Sequence, residues 1–207
     1  MLRLRRTACV MRHQERMSEQ MPELFEFDTK RLRLRQWCAA DREPFAAINA
    51  DPRGMEFYPT PLNRTESDAI ANRCQILIAE RGWGFWVVET KSENEFIGFV
   101  GLHIPTSELP FSPCVEVGWR LAAKHWGNGF ATEAARGALC VGFEQLGLPE
   151  IVSFTSVINL RSRAVMVKLG MRETAEIFEH PNVPVGNALR QHCLYRLSHS
   201  QWVENVA

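Results

Sequence analysis

The sequence lacks the spacings that bind metal ions. Its six cysteines include no C-x-x-C pair and its six histidines show no H-x-x-x-H spacing, so no metal site is predicted. The same scatter favours reduced thiols in a cytoplasmic protein over a disulfide framework. The cysteines are Cys9, Cys38, Cys74, Cys114, Cys140 and Cys193.

An excess of charge of either sign is also absent. The 207 residues include 24 basic and 24 acidic side chains, so the formal net charge is zero. This balance gives no global attraction to nucleic acid or to anionic lipid, and no apolar segment is long enough to span a bilayer. We expect no nucleic-acid partner and no membrane partner, and a charged ligand must be attracted locally.

The N-terminal region, residues 1–22, lacks the apolar stretch of a secretory signal. Four arginines and the absence of acidic residues before Glu15 leave an organellar transit peptide open, and internal methionines leave a later start codon open. We interpret residues 1–22 as a disordered extension. Residues 23–207 are interpreted as a single domain, because their length fits one core and no internal repeat divides them.

A glycine-rich turn between a predicted strand and a predicted helix carries the chemistry. The strand is Cys114–Leu121, and the helix, Ala131–Leu146, has its apolar and small side chains on one stripe. Between them, Gly127 and Gly129 let the backbone turn tightly and leave the amides at the helix start uncovered. A helix N-terminus of this kind favours a phosphate group.

Spacing separates three chemistries that use a glycine loop. No Gly-Lys-Ser/Thr follows, which excludes the Walker P-loop. A dinucleotide fingerprint needs a third Gly or Ala where Thr132 stands, and a later acidic residue that this unit does not supply. A turn without any ligand stays open for the two glycines taken alone.

The remaining pattern, Trp126-Gly127-Asn128-Gly129-Phe130-Ala131, resembles the acetyl-CoA loop of the GNAT superfamily of N-acyltransferases, in particular its RimJ/RimL-like branch. The family loop begins with Arg or Gln, and an aromatic residue is common there in that branch, so phosphate binding should rest on main-chain amides. The resemblance covers roughly residues 29–202. It implies an α/β fold with a mixed, mostly antiparallel central sheet, splayed at its middle and flanked by helices.

The resemblance also implies where acetyl-CoA binds. In that fold two central strands splay apart, and the pantetheine arm pairs with the first of them, at positions matched here by Trp119 and Leu121. An Asn followed three residues later by a small residue at a helix start is matched by Asn159 and Ser162, for which helix capping alone is the other interpretation. The predicted contacts with acetyl-CoA are Trp119, Leu121, Trp126, Gly127, Asn128, Gly129, Phe130, Ala131, Thr132, Asn159 and Ser162.

Glu116 is the candidate general base. Amide formation from a thioester and a protonated amine needs a group that removes a proton. Apolar neighbours at Val115 and Val117 predict a raised pKa for Glu116. A solvent-facing position, or an ion pair with Arg120, stays open.

A donor for the leaving thiolate is harder to find. Many family members carry a Tyr seven residues after the Asn, where this chain has Met166. Ser162 takes the predicted role by position, while Tyr195 is predicted to be a core residue. Protonation by water stays open.

Simple local patterns predict the other elements. They are a strand at 30–37, a helix at 41–50, a helix opened by a capping arrangement at Thr65 and ended by Gly82, a hairpin of strands at 85–89 and 96–103, a strand at 150–157, a helix at 161–169, a strand at 190–197 and a tail at 198–207 anchored by Trp202.

We therefore predict an N-acetyltransferase that moves the acetyl group of acetyl-CoA to a primary amine, on a protein N-terminus or a small molecule, by direct attack in a ternary complex. A catalytically weak CoA-binding module is the alternative, and a dinucleotide oxidoreductase is a distant third. Monomer and homodimer both stay open. The residues expected to border the acceptor are Trp37, Phe57, Tyr58, Trp83, Trp86, His103 and the loop at 105–113.

Overall fold

The computed structural model describes residues 3–4 and 23–206. The strands of this part are β1 (Arg3–Leu4), β2 (Phe27–Asp28), β3 (Leu32–Arg35), β4 (Phe85–Thr90), β5 (Phe96–His103), β6 (Glu116–Leu121), β7 (Glu150–Ser156), β8 (Arg172–Glu179) and β9 (Gln191–Ser198). The helices are α1 (Arg42–Ala50), α2 (Arg64–Arg81), α3 (Phe130–Cys140), α4 (Leu160–Lys168) and α5 (His199–Val206). Apart from residues 3–4, the predicted extension at 1–22 lies outside the described residues.

All nine described strands join one sheet in the order β1-β2-β3-β4-β5-β6-β7-β9-β8. Every neighbouring pair is antiparallel except β6 and β7, which are parallel. The predicted class, a mixed and mostly antiparallel α/β sheet flanked by helices, is confirmed.

The sheet is splayed between β6 and β7. Their ladder contains one residue pair, Glu116 opposite Val152. The Val152 amide donates to the Val115 carbonyl at 2.9 Å, and the Ser153 hydroxyl donates to the Val117 carbonyl at 2.9 Å. Beyond these contacts the two strands separate toward Leu121, so the gap has a closed end at Glu116 and an open end at Leu121.

Alternation places β3 in the sheet as predicted. Leu32 and Leu34 are fully buried, while Arg33 and Arg35 lie on the other face and donate to Glu89. Arg35 also donates to both oxygens of Asp41 at 2.8 Å, which ties the strand to the turn before α1. An apolar face and a paired charged face together fix the register of this strand.

The start of α2 differs from the prediction at Thr65. Asn63 is the N-cap, its side-chain oxygen accepting from the Glu66 amide at 3.0 Å while Glu66 accepts from the Asn63 amide at 2.8 Å. The pair satisfies two orphan donors at once, so the helix begins at Arg64. Its predicted end is confirmed, because Gly82 adopts the left-handed conformation with φ 82°.

The predicted helix at 131–146 is α-helical only to Cys140. It continues through Val141–Gln145 as a π-helical turn, in which the Leu146 amide donates to the Val141 carbonyl at 3.0 Å. Gly142 lies in this turn close to β7, since a Cβ there would stand 2.5 Å from Ile151 Cδ1. The helix buries Ala134, Ala138 and its neighbours against the sheet.

Two elements at the C-terminal half were not predicted. One is β8, an edge strand in which Phe178 is the buried residue, and the other is α5, where a tail was expected. Trp202 anchors α5 as predicted, stacked on Phe143 with ring centroids 5.6 Å apart. Among the described helices, none is long and apolar enough to cross a membrane.

Candidate active site

A cavity of about 360 Å³ opens where β6 and β7 separate. Its walls come from the open end of β6, the glycine loop, the start of α3, one face of α4 and the segment after α1. The predicted residues that line it are Trp119, Leu121, Trp126, Gly127, Gly129, Phe130, Ala131, Thr132, Asn159 and Ser162. Ten of the eleven predicted cofactor contacts therefore meet at one concave surface.

The glycine loop has the conformation that its sequence requires. Gly127 and Gly129 adopt left-handed φ values of 80° and 78°, and Gly129 is the N-cap of α3. The first turn of α3 closes with the Glu133 amide donating to the Gly129 carbonyl at 3.0 Å. The amides of the three preceding residues, which line the cavity, have no partner within the helix. Such a cluster of free N–H groups can bind an anion.

Arg31 holds the loop against the edge of β3. Its guanidinium donates to Glu133 at 2.6 Å and to the Asn128 carbonyl at 2.9 Å, and it lies 4.5 Å from the centre of the Phe130 ring. The Asn128 side chain donates to the carbonyls of His125 and Trp126, so it stabilises the turn instead of lining the cavity. Asn128 is the one predicted cofactor contact outside the cavity wall.

Trp126 connects three segments. Its indole N–H donates to the Leu121 carbonyl at 2.8 Å. The Arg161 guanidinium lies 4.6 Å from the Trp126 ring centre and 5.2 Å from that of Phe57, and it also pairs with Glu56. Through Arg161, α4 therefore contacts both the glycine loop and the segment after α1.

The main chain of β6 is available at the open end of the gap. Carbonyls of Val115 and Val117 point toward β7, so alternation directs the N–H and C=O groups of Trp119 and Leu121 to the same side. The Leu121 carbonyl accepts from Trp126. Within the described residues, the Trp119 amide and carbonyl and the Leu121 amide have no partner there, because β7 has moved away.

Asn159 caps α4, as the second interpretation of the Asn159–Ser162 pair predicted. Its Oδ1 accepts from the Ser162 amide at 3.1 Å, and its Nδ2 donates to the hydroxyls of Thr155 and Ser162 at 3.0 and 3.1 Å. Both amide hydrogens are therefore used. One lone pair of Oδ1 and the hydroxyl hydrogen of Ser162 remain for a ligand.

Glu116 lies at the closed end of the gap, opposite His103 in β5 and Val152 in β7. The ion pair between Glu116 and Arg120, one of the two alternatives for Glu116, does not form. Arg120 instead donates to Asn49 at 2.6 Å, and its guanidinium lies 4.1 Å from the Tyr58 ring centre. Burial raises the pKa of the Glu116 carboxyl to about 8, in the direction that its apolar neighbours predicted. A carboxyl with this pKa can exchange a proton near neutral pH.

A smaller cavity of about 140 Å³ lies between α2 and the ends of β4 and β5. His103 lines it. Directly opposed residues of an antiparallel pair project to the same face of the sheet, so the Glu116 side chain lies on the same face of the sheet as this cavity. Trp83, one of the residues expected to border the acceptor, lines this cavity as well. The expectation was wrong for Trp37 and Trp86, which are core residues exposed by 3% and 0%.

Comparison with known proteins identifies the family. A family model described as "Acetyltransferase (GNAT) domain" matches residues 31–172. The chain belongs to the GNAT acetyltransferase family. Members of this family use acetyl-CoA.

Two curated relatives illustrate the likeness. The chain is 31% identical over 182 residues to FsC-acetyl coenzyme A-N(2)-transacetylase of Aspergillus fumigatus, covering 84% of this chain and 77% of that protein. It is 32% identical over 154 residues to the uncharacterized protein YkkB of Bacillus subtilis, covering 72% and 86%.

Solved structures share the GNAT fold. A GNAT acetyltransferase from Bacillus anthracis superposes with a TM-score of 0.70 at 24% identity, covering 84% of this chain and 99% of that one. RimJ of Mycobacterium smegmatis, solved with CoA-disulfide, gives 0.63 at 21% identity, covering 84% and 89%. At these identities the likeness extends to the fold alone.

Met166, at the position where many GNAT enzymes carry a tyrosine, is a buried core residue exposed by 1%. Tyr195 is also in the core, as predicted, and donates its hydroxyl to Glu173 at 2.9 Å. Neither residue lines the large cavity, whereas Tyr58 does.

Several residues of the large cavity were not predicted from the sequence. Arg161, Val165 and Lys168 line it from α4, and their spacing of four and three residues places them on one helix face. The sequence does contain this signal, because the Asn159 motif marks the helix start and the spacing of the three residues can be counted from it. Arg120 and His125 line the cavity too, but no local pattern distinguishes them.

Proposed function

We propose that this GNAT protein is an N-acetyltransferase that moves the acetyl group of acetyl-CoA to a primary amine by direct attack in a ternary complex. The observation that carries the proposal is the position of Glu116. Its carboxyl, with a pKa raised to about 8, lies at the closed end of a strand gap whose open end is a cavity with an anion-binding helix start. An acyl donor entering from the open end would bring its thioester toward this carboxyl.

Acetyl-CoA would bind along the gap. Its pyrophosphate would accept from the free amides of residues 130–132, with Gly127 and Gly129 giving close access to the main chain. Its pantetheine amides would pair with the Trp119 main chain and the remaining lone pair of Asn159 Oδ1. Trp119 and Glu116 are three residues apart in β6, roughly 10 Å along the strand, so an extended arm can span the distance.

The chemistry would proceed by proton removal and acyl transfer. Glu116 would take a proton from the ammonium group of the acceptor, directly or through water. The free amine nitrogen would then attack the thioester carbonyl carbon, a C–N bond would form, and the C–S bond would break with its electrons leaving on sulfur. The nitrogen, positively charged once the C–N bond has formed, would lose its second proton, and the thiolate would take up one proton, giving the amide and free CoA thiol.

Ser162 is the proposed donor of that last proton, because its hydroxyl lines the cavity and keeps a free hydrogen. Tyr58, which lines the same cavity, and water are the competing donors. Ser162→Ala should lower kcat while the KM for acetyl-CoA stays unchanged. An unchanged kcat in this variant together with a lowered kcat in Tyr58→Phe would transfer the role to Tyr58.

We place the protein near the RimJ/RimL-like branch, supported by Trp126 at the first position of the loop and by the fold it shares with the mycobacterial RimJ. The name of the Aspergillus relative describes acetyl transfer from CoA to nitrogen, which supports an amine acceptor here. The described cysteines are all free thiols, which supports a reducing, cytoplasmic setting.

Turnover with a panel of primary amines tests the proposal against the alternative of a CoA-binding module. Purified protein should release CoA thiol from acetyl-CoA only when an amine is present, and mass spectrometry should find the acetylated amine. Glu116→Gln, prepared in the same way, controls for contaminating activity. CoA binding by calorimetry without amine acetylation would support the binding module, and binding of NAD in place of CoA would support the oxidoreductase.

A further inference from the structure

The smaller cavity has an apolar wall with two cationic side chains at its border. Its volume of about 140 Å³ is similar to that of protein cavities that hold one benzene molecule, so a small organic group fits. Most of the surface is contributed by apolar groups of α2, β4 and β5. The residues that matter for binding are Arg73, Leu77, Arg81, Trp83, Phe85 and His103.

One residue that lines the cavity, His103, is paired across the sheet with Glu116. The His103 ring is stacked on Phe85 with centroids 5.1 Å apart. The next residue of β6 on the same face is Gly118, where a Cβ would stand 3.2 Å from the Phe85 ring. Glycine therefore allows Phe85 to pack directly on β6, and the cavity wall is continuous with the strand that carries Glu116.

Two arginines of α2 line this cavity, Arg73 with an exposed side chain and Arg81 with a partly buried one. Within the described residues, no carboxylate lies within ion-pair distance of Arg73 or Arg81, and the ion pairs of α2 are made by Arg64. The Arg81 guanidinium lies 6.0 Å from the Trp83 ring centre. Two guanidinium groups that have no carboxylate partner among the described residues can bind an anion at this pocket, because the planar fork of arginine matches a carboxylate.

His103 adds hydrogen-bonding capacity without adding charge. Burial, together with the positive charges of Arg73 and Arg81, lowers its pKa to about 4. The ring is therefore neutral at physiological pH and offers one donor and one acceptor. The positive charge at the cavity comes from the arginines alone.

We propose that the acceptor is a small amine that also carries a carboxylate, and that Arg73 and Arg81 bind this carboxylate while the amine lies at Glu116. The proposal rests on the proposed acetyltransferase function and names its class of substrate. The apolar wall formed by Leu77, Trp83 and Phe85 would hold the carbon chain between the two polar groups. An ω-amino acid, in which a carbon chain separates the amine from the carboxylate, has this chemistry, whereas a simple alkylamine lacks the anion.

Matched acceptors test the proposal. The ω-amino acids β-alanine, 4-aminobutyrate, 5-aminopentanoate and 6-aminohexanoate are compared with their carboxamides at pH 7 under saturating acetyl-CoA. The amine of a carboxamide is less basic, so chemistry alone favours the amide, and a preference for the acid has to come from binding. We expect kcat/KM to be at least 10-fold higher for the preferred acid than for its amide.

Arginine variants identify the site that produces the preference. Arg73→Gln and Arg81→Gln should each lower kcat/KM for the acid about 10-fold or more, leave the amide nearly unchanged, and leave the KM for acetyl-CoA unchanged. Arg64→Gln is the matched control, because Arg64 lies on the same helix but pairs with Asp68 and Glu43 away from the cavity. It should behave like the unmodified protein.

The outcomes separate this proposal from the proposed function. Equal acetylation of acids and amides, or a preference for phosphoethanolamine, would overturn the carboxylate proposal and leave the acetyltransferase function in place. Equal losses for acid and amide in the arginine variants would overturn it as well. If no amine of either kind releases CoA thiol, the acetyltransferase function itself is wrong and the substrate class fails with it.

Discussion

Glu116 is the residue on which the proposed chemistry depends most. Burial raises its pKa to about 8, so at pH 7 most of the carboxyl groups are protonated and only the minority can act as base. Below pH 8 the ionised fraction of Glu116 therefore rises by up to about tenfold for each unit by which the pH is raised. We expect kcat/KM of the unmodified protein to rise with this slope from pH 6 to about pH 8.

Glu116→Gln should lower kcat/KM about 100-fold at pH 7, which is the usual contribution of a positioned base. Glutamine keeps the shape of the side chain but cannot accept the proton, so the affinity for CoA should not change. The loss should shrink as pH rises toward 10, because free amine then forms in solution. Near-normal activity of the variant across this range would show that Glu116 is structural and that catalysis rests on positioning.

The same substitution should stabilise the fold in a pH-dependent way. The folded pKa lies above the ordinary value of 4.5, so between pH 4.5 and 8 the unfolded chain loses a proton that the folded chain keeps. Stability contributed by the neutral carboxyl is thus lost as pH rises through this range. Glu116→Gln should match the unmodified protein in Tm at pH 4.5 and exceed it by a few degrees at pH 8. A difference in Tm that stays constant with pH would contradict the raised pKa.

At the scale of elements, α4 serves both the fold and the cavity. Asn159 caps its start, and Ser162, Arg161 and Lys168 line the cavity from its first turns onward. Capping uses one lone pair of Asn159 Oδ1, and the proposed cofactor contact uses the other. Two substitutions at this position can therefore separate the two roles.

Asn159→Ala should remove both capacities, lowering the free energy of unfolding by about 1 kcal/mol and raising the KM for acetyl-CoA. Asn159→Ser should preserve the cap, because serine is an equally good N-cap, yet its shorter side chain should not reach the pantetheine arm. We therefore expect a normal Tm with a raised KM in Asn159→Ser. A normal Tm with a normal KM would limit Asn159 to capping.

Elements with a strong local pattern were predictable from the sequence. The alternation of β3, the hairpin of β4 and β5 and the glycine-terminated α2 all have such patterns, and each is present. By contrast, β8 is mostly solvent-exposed and carries a single buried side chain, so its sequence shows no periodic apolar face. The cap of α2 was misplaced because two overlapping segments match the capping pattern, and only tertiary context selects Asn63.

The parts of the candidate site that lie in contiguous sequence motifs were predictable, whereas contacts between residues far apart in the chain were not. The loop from Trp126 to Thr132 and the pair Asn159 and Ser162 lie in short contiguous motifs. The contacts of Arg31 with Glu133 and of Arg120 with Asn49 join residues 102 and 71 positions apart, and a single sequence contains no signal for such pairs. The same holds for the smaller cavity, whose walls come from three separate elements.

Across the whole molecule, partly buried histidines should make the fold sensitive to acid. Burial lowers the pKa of His103 and His192 to about 4, below the ordinary value of 6.5. Their contribution to stability is complete above pH 6.5 and is lost as pH falls toward 4, because the unfolded chain takes up the protons first. Glu116 has the opposite slope over part of this range, so the effect is measured best in Glu116→Gln.

In that background the midpoint of urea unfolding should fall as pH is lowered from 7 to 4.5. Adding His103→Gln and His192→Gln should remove most of this slope, although the triple variant has a lower overall stability. An unchanged slope in the triple variant would mean that other groups set the acid sensitivity.

Acetyl-CoA binding, as proposed above, depends on contact between the pyrophosphate and the glycine loop at the start of α3. Two glycines provide a matched comparison, because Gly127 and Gly147 have left-handed φ values of 80° and 63° and open space where a Cβ would stand. Alanine at either position should cost a similar amount of backbone strain, about 1 kcal/mol, but only Gly127 lines the cavity.

Calorimetric titration of CoA into the unmodified protein, Gly127→Ala and Gly147→Ala tests this claim most directly. We predict that Gly127→Ala raises the Kd for CoA at least 10-fold, while Gly147→Ala leaves the Kd unchanged and shows a similar loss of Tm. The same Kd for CoA in all three proteins would contradict the claim.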